Sequence, residues 1–118
     1  MSKGRILIVE DNQMNMTLMN DILNHYNYET ICVDNGEEAI ETINNENFDL
    51  ILLDLQLPKV SGFDVLKNIK KDVKVIIVSA CAMEEDVKKA LNYNCLDYIT
   101  KPLHIKDFIG KIEKYVKI

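Results

Sequence analysis

Short apolar runs alternate along this chain with segments of helical periodicity, five of each, and few folds accept that alternation. The runs are Arg5 to Val9, Glu29 to Val33, Leu50 to Leu53, Lys74 to Val78 and Leu96 to Ile99, each of strand length. Gln13 to Tyr26 follows the first run and sets Met14, Leu18, Met19, Ile22, Leu23 and Tyr26 on one broad face, with Asn12 as its cap. Asn15 falls in the middle of that face but in the first turn, where it either caps the helix or borders a site. The second helical segment opens at Asn35-Gly36-Glu37-Glu38, a capping residue with Glu three positions on, and turns Ala39, Ile40 and Ile43 inward. The third covers Phe63 to Lys71 with Leu66 and Ile69 buried, and the fourth Glu84 to Asn92 with Val87, Ala90 and Leu91 buried. In the fifth, Ile105, Phe108, Ile109, Ile112 and Val116 recur at three and four residues, while Lys106, Lys111, Lys114 and Lys117 fill the remaining surface.

Strands that alternate with helices over short connections imply right-handed crossovers and a parallel sheet covered on both faces. Ile-Leu-Ile-Val, Leu-Ile-Leu-Leu and Val-Ile-Ile-Val are continuously apolar, as strands buried on both faces must be, whereas Glu-Thr-Ile-Cys-Val and Leu-Asp-Tyr-Ile are mixed and belong at the edges. The expected fold is therefore α/β, a flavodoxin-like (βα)5 three-layer sandwich with a five-stranded parallel sheet of order 2-1-3-4-5. At 118 residues, one domain over 1–118 is expected. A net charge of −5 without a dense Lys/Arg run argues against nucleic acid as a partner. No apolar run approaches a membrane span and no signal-peptide hydrophobic region opens the chain, so a cytoplasmic protein is expected. Cys32, Cys81 and Cys95 show no C-x-x-C spacing and read as small apolar thiols, and His25 and His104 as solvated or helix-end residues.

In this architecture the strand ends carry the chemistry: Glu10 and Asp11 after strand one, Asp54 after strand three, Ser79 after strand four, and Lys101 after strand five. Two carboxylates about 4 Å apart repel by about 4 kcal/mol at an effective dielectric near 20, so three together require positive charge. Mg²⁺ suits such a set, because it takes hard oxygen ligands, keeps several waters and binds through few carboxylates plus phosphate; Mn²⁺ accepts the same ligands. Lys101 supplies a second cation. An ionised Asp54 beside them is a competent nucleophile toward phosphorus, with Lys101 and the Ser79 hydroxyl placed for the phosphoryl oxygens.

The whole chain resembles a response-regulator receiver domain. The matching pieces, in order, are Ile-Val-Glu10-Asp11-Asn12, Leu-Leu-Asp54-Leu-Gln-Leu-Pro58-Lys-Val-Ser-Gly62, Ile-Val-Ser79-Ala80 and Tyr98-Ile-Thr-Lys101-Pro102. The start Glu10-Asp11-Asn12-x-x-Asn15 is most similar to stand-alone cell-cycle or sporulation receivers and to receivers of hybrid histidine kinases. The resemblance implies Asp54 as phosphoacceptor, Asp11 as a direct metal ligand, Glu10 as a ligand through water, and the Gln56 carbonyl as a further ligand. It implies that Ser79 and Lys101 bind the phosphoryl group, that Tyr98 changes burial on activation, and that Lys101-Pro102 is a cis peptide. Pro58 and Gly62 then shape the loop after Asp54. Glu for Asp at position 10 and Ser for Thr at 79 are departures that keep the functional group.

The same resemblance implies a phosphohistidine on a histidine kinase or histidine phosphotransfer protein as donor, and a downstream protein reading helix four, strand five and helix five. It implies a monomer that catalyses only its own phosphorylation and slow dephosphorylation, with Gln56 and Cys81 flanking the attacking water. Because the chain stops after its fifth helix, output through another protein is expected. Plainer readings stand beside these. Glu10-Asp11 favours a helix N-terminus in any protein, and Asp54 can simply cap the turn toward Pro58. Ser79 can be a turn hydroxyl, Lys101 an edge charge, and Tyr98 an edge-strand aromatic. A dehalogenase-like phosphatase would need its nucleophile after strand one and an acid two residues on, where this chain has Gln56. Glu10-Asp11 would repel a flavin phosphate. The remaining alternative is a binding module of the same fold that acts without phosphorylation.

Overall fold

The structure, a computed structural model, describes residues 2–80, 84–93 and 95–116. Strands β1 (Arg5–Val9), β2 (Glu29–Val33), β3 (Leu50–Leu53), β4 (Val75–Ser79) and β5 (Asp97–Thr100) alternate with helices α1 (Gln13–His25), α2 (Gly36–Asn45), α3 (Gly62–Asn68), α4 (Glu84–Leu91) and α5 (Ile105–Tyr115). All strand pairs are parallel and the order is β2-β1-β3-β4-β5, as the strand compositions required.

Successive side chains of a strand point to opposite faces, and the apolar runs use both. Leu7, Val9, Ile51, Leu53, Val75 and Ile77 face one core with Ala39, Ile43, Val65 and Ala90, which places α2, α3 and α4 on that side. Ile6, Ile8, Leu50, Leu52, Ile76 and Val78 face the other, with Met19, Ile22 and Leu23 of α1 and Phe108, Ile109 and Ile112 of α5. Beyond the strands the ladder continues for one step: Glu10 N donates to Val33 O at 3.1 Å, Asp54 N to Val9 O at 3.1 Å, and Lys101 N to Ser79 O at 3.0 Å. Each of these residues thereby leaves the sheet in a fixed direction.

Several expectations are corrected. The buried face of α1 is narrower than the apolar one: Met14 is 82% exposed and Leu18 42%, while Met16 joins the partly buried set. Asn12 is the cap, its side chain accepting from Asn15 N at 3.0 Å, so Asn15 is not. Helix α3 starts at Gly62 because Ser61 and Asp64 form a reciprocal capping box. It stops at Asn68, short of Lys71, because side-chain amides take over its end: Asn68 donates to Asp64 O, Asn44 to Asn68 O, and Lys70 N to Asn44. Ile69 is accordingly only partly buried. Pairing of Ser79 with Thr100 shifts β4 and β5 one residue later than expected. Helix α4 ends at Leu91, which is 45% exposed, and Val87 is half-buried, leaving Ala90 as its fully buried side chain. Ile105 is 51% exposed at the start of α5, and Ile40 is only partly buried in α2. Cys95 is buried, but Cys32, on edge strand β2, is exposed; Cys81 and Lys117 lie outside the described residues. His25 ends α1 and His104 precedes α5, both exposed. No helix among the described residues is long and apolar enough to cross a membrane.

Candidate functional site

Parallel strands deliver their carboxyl ends to one edge of the sheet, and there residues remote in sequence meet. One carboxylate oxygen from each of Glu10, Asp11 and Asp54 lies within 4.8 Å of the other two. Lys101 Nζ donates to Asp54 Oδ2 at 2.9 Å and also pairs with Glu10 Oε1. Glu10 is 0% exposed, Asp54 5% and Ser79 0%, so the charges are held out of water. Such burial is costly unless each charge is compensated, and the lysine bridging two carboxylates provides that.

The three charged side chains settle one another's protonation. Burial drives the Glu10 carboxyl up to about 7, against the pull of Lys101. Burial pushes Asp54 up as well, but hydrogen bonds from Glu10, Lys101 and the Gln56 amide outweigh it, and the net direction is down. Lys101 loses some basicity to burial and regains more from Glu10 and Asp54, ending above its ordinary value. Within the cluster the two buried carboxyls are thus pushed apart, Glu10 upward and Asp54 downward.

Asp54 Oδ1 accepts from Gln56 N at 2.9 Å. That is the Asx-type turn contact that a plain turn-capping aspartate would make, so the structural and chemical readings of Asp54 hold together. Glu10 Oε2 receives a long hydrogen bond, 3.4 Å, from Asn12 N, the helix-end contact of its plainer reading. Gln56 itself is exposed in the loop. In that loop Pro58 is exposed and Lys59 adopts a positive φ of 63°. Gly62 has a local reason: a Cβ there would lie 2.5 Å from Asp54 O and from Leu55 Cα, so the loop after Asp54 closes on it only without a side chain. Gly36 plays the same part against Val60 O at 2.6 Å, which ties the start of α2 to this loop; nothing in the sequence pattern distinguished it from an ordinary helix-start glycine.

Lys101-Pro102 is cis. Ser79 closes β4 with its backbone bonded to Lys101. Tyr98 lies on β5, half-buried against the core on the α4 side. Asp11 is exposed and also lines a cleft of about 570 Å³ with Asp34, Pro58 and Lys59, so solvent reaches the carboxylates past Asp11. A set of three oxygen donors beside open solvent fits a hard divalent cation that keeps part of its water shell.

A family model described as the response regulator receiver domain matches residues 6–113. The chain belongs to that family. This receiver is 41% identical over 116 residues to the polar-differentiation response regulator DivK of Brucella anthropi, covering 94% of each chain. It superposes on a CheY-like receiver domain protein of Methanospirillum hungatei JF-1 with a TM-score of 0.89 and 32% identity, over 95% of this chain and 92% of that one. The receiver domain of a sensor histidine kinase from Pseudomonas aeruginosa PAO1 is similar at a TM-score of 0.87 and 25% identity, over 96% and 97% of the two chains; it is described with a magnesium ion coordinated in its active-site cleft. Membership makes this a two-component signalling receiver, and the resemblance read from the motifs stands.

Proposed function

We propose that this receiver accepts a phosphoryl group on Asp54 from a phosphohistidine, in a Mg²⁺-dependent reaction, and signals by altering the surface that a partner protein reads. The observation that carries this is Asp54 itself: buried, ionised, paired with Lys101, and in one cluster with Glu10 and Asp11.

One Asp54 carboxylate oxygen attacks the phosphorus, the P–N bond to the donor imidazole breaks, and its electron pair leaves on that nitrogen, giving an acyl phosphate. Asp11, Asp54 and the Gln56 carbonyl would hold Mg²⁺ with Glu10 beside them, and the ion would supply charge neutralisation for the phosphoryl oxygens. Lys101 passes from Asp54 Oδ2 to a phosphoryl oxygen, while its backbone stays bonded to Ser79. The Ser79 hydroxyl then bonds another phosphoryl oxygen, and the shift of Ser79 lets Tyr98 turn further inward. That biases a two-state equilibrium of the face made by α4, β5 and α5. The reactions proposed are confined to the chain's own Asp54, in a cytoplasmic setting.

The test is incubation with acetyl phosphate and Mg²⁺, followed by intact-mass measurement. A hydroxylamine-labile gain of one phosphoryl group is expected, absent in Asp54→Asn and absent when EDTA removes the metal. No gain under conditions that label another receiver would leave a receiver-fold binding module instead.

A further inference from the structure

Two lysines stand near the carboxylate cluster, and they are held in different ways. Lys101 is inside it, bridging Glu10 and Asp54. Lys59 is outside: it is exposed and lines the cleft of about 570 Å³ that opens past Asp11, together with Asp34 and Glu37. No ion pair among the described residues engages Lys59, Asp11, Asp34 or Glu37. The mouth of the site therefore carries three carboxylates and one uncommitted cation.

Lys59 also occupies a backbone position that does not suit it. Its φ is 63°, in the left-handed region that glycine or asparagine enters at least cost. The turn around it is fixed: Val60 N donates to Pro58 O at 2.7 Å, and Val60 rests on Gly36, where a Cβ would lie 2.8 Å from the Val60 Cβ. Nothing inside the fold accounts for a lysine here, because among the described residues its side chain has neither a hydrogen bond nor an ion pair. What the side chain does provide is positive charge at an opening through which solvent reaches the carboxylates.

A cation at that opening acts in opposite senses on the two species that must enter. It opposes a divalent cation approaching Asp11, and it offsets the repulsion that the carboxylates exert on a doubly charged phosphoryl donor. Both effects pass largely through water, so each amounts to a few-fold at low salt and is screened at high salt. We infer that Lys59 is a specificity residue at the mouth of the site, favouring dianionic phosphoryl donors and weakening Mg²⁺ binding. This rests on reading Asp54 as the phosphoacceptor.

The test uses the full chain with Lys59→Arg, Lys59→Met, Lys59→Glu and Lys59→Gly. Calorimetry reads Mg²⁺ affinity, and intact mass reads the labelling rate at saturating Mg²⁺ with two small donors. One is doubly charged acetyl phosphate, whose P–O bond breaks to release acetate; the other is phosphoramidate, of lower net charge near neutral pH, whose P–N bond breaks to release ammonia. In about 20 mM salt, Lys59→Met should bind Mg²⁺ about threefold more tightly and be labelled by acetyl phosphate about threefold more slowly. Lys59→Glu should extend both changes about threefold further, and Lys59→Arg should match the native chain. The loss with phosphoramidate should be smaller, and in about 0.5 M salt all differences should fall below about twofold. Lys59→Gly should melt no lower than the native chain, since glycine accepts the left-handed backbone, yet lose rate as Lys59→Met does. Changes of Mg²⁺ affinity and acetyl phosphate rate in the same direction, equal losses with the two donors, or native values in Lys59→Met would overturn the inference. If the native chain takes up no phosphoryl group, phosphoacceptance falls, and the Mg²⁺ titration alone decides Lys59: unchanged affinity in Lys59→Glu overturns its role, and tighter binding sustains it.

Discussion

Strands β3 and β4 are buried at every residue and β1 from Ile6 onward, whereas β5 is half-buried at Asp97, Tyr98 and Ile99 and exposed at Thr100. The helices beside them differ in the same sense: α5 fully buries Phe108, Ile109 and Ile112, and α4 only Ala90. Asp54 and its acidic neighbours are thus hung on the part of the sheet with the most packing to lose. Lys101, by contrast, reaches in from the lightly packed margin. Local opening is cheapest where few apolar contacts must break, which on the Lys101 side of the sheet means β5 and α4. A tightly packed acidic cluster and a lightly packed margin thus coexist in one small sheet.

The sharpest challenge to that contrast is a core truncation. Ile77→Ala in β4 should cost about 4 kcal/mol in urea unfolding, while Leu91→Ser in α4 should stay within about 0.5 kcal/mol; comparable losses would erase the difference between the regions. Next in size is Lys101→Met, which strands two buried carboxylates and should cost about 3 kcal/mol at neutral pH, with part of the loss regained on adding Mg²⁺. If Mg²⁺ regains nothing, the cluster is an ion-pair network rather than a cation site.

A smaller effect probes the margin itself. Asp97 accepts from Tyr98 N, Lys111 and the Tyr115 hydroxyl, and although burial raises its pKa, those partners bring the net direction below the ordinary carboxylate value. A depressed folded pKa stabilises above the unfolded value near 3.9 and is lost as pH falls through the folded one. Asp97→Asn should therefore cost about 1 kcal/mol at pH 7 and flatten the acid limb of a stability–pH curve below about pH 4. The smallest effect is expected at Met14→Ser, within about 0.5 kcal/mol by thermal melting, because that side chain adds no burial to the α1 face.

The strands and their order were legible because continuous apolar runs can belong only to strands covered on both sides, and mixed runs only to edges. Helix faces were legible less well. In α1 and α4 an apolar residue on the flank of the stripe reads like one in its centre, and only the position of the sheet separates Met16 from Met14 or Ala90 from Leu91. The end of α3 was hidden for another reason: amide side chains from two segments, Asn44 and Asn68, terminate it, and no local signal records their meeting.

By itself, the sequence determined which side chains stand at the strand ends and what chemistry they are able to do, because both follow from local pattern and functional group. Tertiary structure decided how they behave together. Lys101 meets Glu10 across 91 positions; burial there pushes Glu10 up, while hydrogen bonds from Glu10, Lys101 and the Gln56 amide hold Asp54 down against the same burial. Dielectric environment and charge proximity are properties of the assembled sheet edge, and no short stretch of chain contains them.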